Sequence, residues 1–167
     1  QQQVDSNLPS EPVSPSQTKA ILIRRGKIWT AAGIVLSKGD ILIEKGKIAA
    51  IGKELKAPPH AIIIDAKGKY VTPGLIDAHS HMGVYASPSL YATMDGNERG
   101  RPITAYVSAK HSFWSQDPAL SRALAGGVTT VQILPGSTNL VGGLSFVIKL
   151  KRKRSAKEMS FPMHPSV

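Results

Sequence analysis

Short runs of β-branched and aliphatic residues, separated by glycine-bearing turns, fill the first part of this chain. Ile21-Leu-Ile23, Ile41-Leu-Ile43, Lys47–Ile51 and Ala61–Ile64 have strand composition. Lys38-Gly39-Asp40 and Glu44-Lys45-Gly46 are the expected turns between them. Two short β-type repeats, Ile21–Trp29 and Asp40–Ile51, carry the same Gly-Lys-Ile phrase at Gly26–Ile28 and Gly46–Ile48. After a turn at Pro73-Gly74, Leu75-Ile76 opens a buried strand. Further on, the apolar spacing becomes helical. Asp117 is a good N-cap, Pro118 suits the first helical position, and Leu120, Ala123 and Leu124 form an apolar face that Gly126-Gly127 ends. Val128–Leu134 then reads as a buried strand, so the order strand, helix, strand predicts a right-handed βαβ unit. Leu144–Leu150 is a further strand, and Ser155 with Glu158 has the spacing of a capping box that starts another helix.

Residues 1–18, rich in Gln, Ser and Pro and without periodicity, read as a disordered leader or linker. The chain does not begin with Met, as expected after removal of a tag or signal peptide, and export and cytoplasmic residence both stay open. Its 167 residues are enough for one domain, or a domain and a fragment. No apolar run approaches membrane-spanning length, and the absence of Cys excludes disulfide frameworks and thiolate metal sites. The formal charge of +10 invites a polyanion-binding reading beside any catalytic one.

The candidate chemistry centres on Asp77-x-His79-x-His81. In an extended strand alternate side chains share a face, so these three are expected on one side. Two imidazoles a pleat apart can hold one divalent transition metal. The bland reading is a solvated polar strand end. The surrounding string decides between them: Ile62-Ile-Ile-Asp-Ala-Lys-Gly-Lys-Tyr-Val-Thr-Pro-Gly-Leu-Ile-Asp-Ala-His-Ser-His, preceded by the two β repeats, resembles the N-terminal part of the amidohydrolase superfamily. Its nearest likeness is to the imidazolonepropionase-related hydrolases. Ala-Gly-Gly-Val-Thr-Thr-Val, around residues 125–131, also resembles the pattern, and the likeness spans about Ala20 to Pro162.

This resemblance implies half of a small β-sandwich over residues 20–70, followed over residues 71–167 by the first strands and catalytic-face loops of a (β/α)8 barrel. It implies that His79 and His81 end the first barrel strand and bind catalytic metal, one or two ions, most commonly zinc. The metal would activate water to hydrolyse a C–N bond in a small-molecule amide, cyclic amide or dipeptide. The family's remaining ligands (a lysine or glutamate, two histidines) and its catalytic aspartate come from later strands and have no matching position here. A closed barrel also needs roughly 200 residues or more. The expectation is therefore a chain that is inactive alone and works with the remaining C-terminal part of the barrel, supplied as another polypeptide or missing. The complete enzyme is expected to be a homo-oligomer.

Met82 to Asp117 is a long connection, and loops after barrel strands lie on the catalytic face. Its aromatic residues, Tyr85, Tyr91, Tyr106, Phe113 and Trp114, are expected to pack it onto the rim. Arg99 and Arg101 are candidates to pair with a substrate carboxylate, and His111 is a candidate base or substrate contact. The loop from Pro135 to Gly143 is glycine-rich but lacks the Gly-Lys-Ser/Thr ending of a phosphate loop. Lys149 to Lys157 holds six basic residues in nine positions. No aromatic interleaving or nucleic-acid motif accompanies the run, which favours a solvated turn over a nucleic-acid site. The competing function is a truncated, non-catalytic module that holds polyanions or nucleic acid through that run.

Overall fold

The structure, a computed structural model, describes residues 19–161. The leader reading of residues 1–18 lies outside them. The chain divides into two compact units at Pro73/Gly74.

The first unit is one mixed sheet. Its strands are β1 (Ile21–Trp29), β2 (Val35–Glu44), β3 (Lys47–Gly52), β4 (Ile62–Asp65) and β5 (Tyr70–Val71). β1 lies between antiparallel β2 and parallel β4, β3 pairs antiparallel with β2, and β5 extends the β1 edge beyond β4. Leu22, Ile28 and Ile41 are the sheet's buried aliphatic residues. Lys45 (φ 49°) and Gly46 (φ 72°) both take the left-handed conformation, the pattern of a two-residue hairpin turn that matches strand twist.

The turn expected at Lys38-Gly39-Asp40 is not one: these residues lie inside β2. Gly39 pairs with Gly26 across the sheet, and a side chain there would come within 2.8 Å of Ile28 Cδ1. Glycine is present for close approach of a neighbouring side chain, a strand use of glycine that resembles a turn signal in sequence.

The second unit has a three-stranded sheet of β6 (Leu75–Ser80), β7 (Val128–Ile133) and β8 (Phe146–Lys149), in that order. β6 and β7 run parallel, with α2 (Pro118–Ala125) between them in the chain, and β8 returns antiparallel to β7. Asp117 caps α2 and Gly126 ends it, as the sequence predicts. Single-turn helices α1 (Ala109–Ser112) and α3 (Ala156–Met159) were not both foreseeable. Ser155 caps α3 by accepting from Glu158 N, as its capping-box spacing predicts, whereas α1 has only a Ser108 cap to announce it. The core gathers Val131 and Ile133 of β7, Ile148 of β8, Leu120 of α2, and Val84, Leu150 and Met159. Val131 and Ile133 are two apart, so one face of β7 delivers both to the same core. Among the described residues no helix is long and apolar enough to cross a membrane.

Candidate metal centre

The C-terminal end of β6 presents the histidine pair. Asp77 Oδ1 accepts from His79 N at 3.1 Å, which folds the carboxylate back on its own strand. Regular pairing with β7 is interrupted between Asp77 and Ser80, and Leu134 N closes the strand end by donating to Ser80 O at 2.9 Å. His81 lies one residue past the strand. Its carbonyl accepts from Val84 N and Tyr85 N, so the chain turns immediately after it. The His79 and His81 rings meet edge to face, with centroids 5.3 Å apart at 85°.

His81 Nδ1 is 3.0 Å from the carbonyl oxygen of Leu134. A carbonyl can only accept, so the contact selects the Nδ1–H tautomer and leaves Nε2 with its lone pair. A backbone carbonyl on the far nitrogen is the arrangement that orients a ligating imidazole and raises its basicity. Tyr85 packs against the same ring at a steep angle, 5.6 Å between centroids.

A buried carboxylate holds the loop that follows. Asp117, 2% exposed, accepts from Gly83 N at 2.8 Å, Ser87 N at 3.1 Å and Ala119 N at 2.8 Å. One residue thus caps α2 and pins the segment leaving His81. Gly83 (φ +79°) packs so closely on Phe113 that a Cβ would sit 2.5 Å from its ring. The loop after β7 is tied to the same region: Asn97 donates to Tyr85 Oη, and its Oδ1 accepts from Thr138 N at 3.2 Å. Asn139 Nδ2 donates to the carbonyls of Glu98 and Arg101, at 2.5 and 2.8 Å.

The structure brings His79 and His81 together. Arg99 and Arg101 are exposed, and His111 lines a separate small hollow with Asp95, Glu98 and Asn139. No hydrogen bond or ion pair among the described residues joins these three to the histidines. Sequence reasoning missed the Leu134 carbonyl, Tyr85 and Asn97 as supports of His81. A backbone carbonyl leaves no mark in sequence, and Tyr85 was one aromatic among several in the loop. Among the described residues no group of three or more His, Cys, Asp or Glu can hold a metal. This chain offers a pair of imidazole donors, which suits zinc-class ions but supplies only part of a tetrahedral set.

No protein-family model matches the chain. Over 84% of its length it is 34% identical to "Amidohydrolase tasK" of Hapsidospora irregularis, of which it spans 17%. It is 33% identical over 60% of its length to imidazolonepropionase of Colwellia psychrerythraea, of which it spans 29%. Among solved structures it is similar to an amidohydrolase from Thermotoga maritima, with a TM-score of 0.76 and 41% identity, covering 84% of this chain and 36% of that one. The chain therefore spans less than a third of the curated relatives it matches. The mixed α/β architecture, the histidine string at the end of β6 and these likenesses agree: the chain belongs to the amidohydrolase superfamily.

Proposed function

We propose that this chain is the N-terminal segment of a metal-dependent hydrolase of C–N bonds, in which His79 and His81 are metal ligands. The observation that carries the reading is the His81 Nδ1 to Leu134 O contact, which leaves Nε2 free to ligate beside the His79 ring. A bound divalent ion, zinc in the first instance, would activate water and polarise the carbonyl under attack. The chain's own contribution is positional. β6 sets the spacing of the two imidazoles, Leu134 fixes the tautomer of one, and Asp117 holds the turn that follows. Leu75 and Ile76 of β6, 58% and 74% exposed, are the apolar surface that further strands of a (β/α)8 barrel would cover. In the same reading Arg99 or Arg101 pairs with a substrate carboxylate, His111 contacts substrate, and later strands supply the remaining ligands and the catalytic acid–base. The substrate class is an amide, a cyclic amide or a dipeptide.

The test is metal analysis of the whole protein carrying this chain, with His79→Ala/His81→Ala beside the unaltered protein. The double variant is expected to lose most of its bound metal and its hydrolytic activity. Unchanged metal stoichiometry defeats the assignment. Residues 1–167 expressed alone and supplied with zinc should not hydrolyse amides, and activity from that piece would defeat the reading of it as a part-site.

A further inference from the structure

The unit formed by β1–β5 carries a cationic groove far removed in sequence from both the histidine pair and the basic run at Lys149–Lys157. Two hollows of about 320 and 390 Å³ share Arg25, Ser37 and Lys38 in their lining, so they adjoin. Arg24 and Lys53 complete the cationic lining of one, Lys27 and Lys67 that of the other. Six cationic side chains thus meet Asp40 and Glu54 on the lining, with Asp65 bound to Arg25.

The backbone departs from regularity where the groove is built. In an undisturbed strand Arg24 and Arg25 would point to opposite faces. Here the register with β2 shifts between Ile23 and Gly26, and Arg25 takes φ +62°, a left-handed conformation that costs a non-glycine residue on the order of 1 kcal/mol. The bulge lets both arginines line the same hollow. Buried Asp40 holds it: Oδ1 accepts from Arg25 N at 2.9 Å and Oδ2 from Leu55 N at 3.0 Å. Arg24 Nε is 3.8 Å from Asp40 Oδ2, close enough for attraction and too long for a hydrogen bond. That Nε is buried with no hydrogen-bond partner. Arg24 is therefore drawn toward a carboxylate while its Nε makes no hydrogen bond, and among the described residues the other ion pair on this lining is Arg25 with Asp65.

We propose that this groove binds a small phosphate-class polyanion with at least two charged groups. Two adjoining hollows exceed what one phosphate fills, and an arginine fork flanked by lysines is the donor set that phosphate oxygens select. The enclosed volume is small, which favours a compact anion over a nucleic-acid strand.

The probe is pyrophosphate, titrated calorimetrically into the whole protein carrying this chain, with inorganic phosphate and a single-stranded oligonucleotide as comparisons. Pyrophosphate is expected to bind one to one and at least tenfold more tightly than phosphate. Lys38→Gln/Lys67→Gln changes only exposed side chains, so its fold is safe, and it should weaken binding at least tenfold. Arg24→Gln should do the same with an unchanged circular dichroism spectrum. Lys151→Gln/Lys153→Gln, in the basic run of the other unit, should leave binding unchanged. Equal losses in that control and the groove variants, or absence of pyrophosphate binding, would overturn the proposal. Tighter binding of the oligonucleotide at physiological salt would replace it with a nucleic-acid surface. None of these outcomes depends on the hydrolase reading.

Discussion

His81 and Leu134 are 53 residues apart in sequence and joined at 3.0 Å, the imidazole Nδ1 of one against the carbonyl oxygen of the other. Adjacent parallel strands make the meeting possible. β6 and β7 end side by side, so the residue just past one strand reaches the residue just past the other. The bond fixes which nitrogen of His81 is free, and Tyr85 packs against the same ring.

The tautomer of His81 is the first consequence. Nitrogen-15 spectra of the imidazoles at neutral to mildly alkaline pH should show His81 protonated at Nδ1 and bare at Nε2. A predominant Nε2–H form, with Nδ1 bare, would contradict the contact, since two acceptors cannot share a hydrogen bond.

Asp117 should matter to stability well beyond its helix cap. Replacing it with Ala removes the cap of α2 and leaves the amides of Gly83 and Ser87 without their acceptor. The expected loss is about 2–4 kcal/mol in urea unfolding. A loss near the bare cap value of about 1 kcal/mol would show that the loop amides find water instead.

Two glycines of the first unit should separate space from conformation. Gly39→Ala puts a methyl group 2.8 Å from Ile28 Cδ1 and should cost about 1–3 kcal/mol through overpacking. Gly46→Ala meets nothing within 4 Å but demands a left-handed alanine, and should cost about 1 kcal/mol. If repacking Ile28, as in a Gly39→Ala/Ile28→Val pair, fails to recover part of the first loss, the close-approach account is wrong.

Asp65 supplies a pH dependence with a definite sign. The Lys67 amide, then the Arg25 side chain, hold its carboxyl below the ordinary carboxylate range. A lowered native pKa means that the unfolded chain takes up the proton first as pH falls. The stabilisation is therefore complete above the unfolded value and disappears as pH drops through the native one. Asp65→Asn should be less stable than the unaltered protein at neutral pH, and the two unfolding midpoints should converge under acid. A gap that persists or widens in acid would assign the effect to something other than ionisation. Because the group is exposed, the effect should also shrink with added salt.

Much of the architecture was legible in the sequence because it rests on local rules. Strand composition located β1 and β3, the Asp117-Pro118 pair located the start of α2, and the strand–helix–strand order anticipated β6 parallel to β7. The spacing of His79 and His81 within an amidohydrolase-like string pointed to the pair before any geometry was available. Tertiary structure decided the rest. Whether Gly39 was a turn or a strand residue depended on Ile28, eleven positions away in sequence and directly above it in space. Asp117 looked like a cap and proved also to be the anchor of the loop after His81. The support under His81 is a carbonyl that every residue possesses, so no residue type could have announced it. The pairing of Arg24 with Arg25 in one hollow required a bulge that breaks the alternation on which strand reading depends. Side-chain identity and period report what a residue prefers; which groups finally meet is set by strand register and chain crossing, which bring together positions that no local pattern connects.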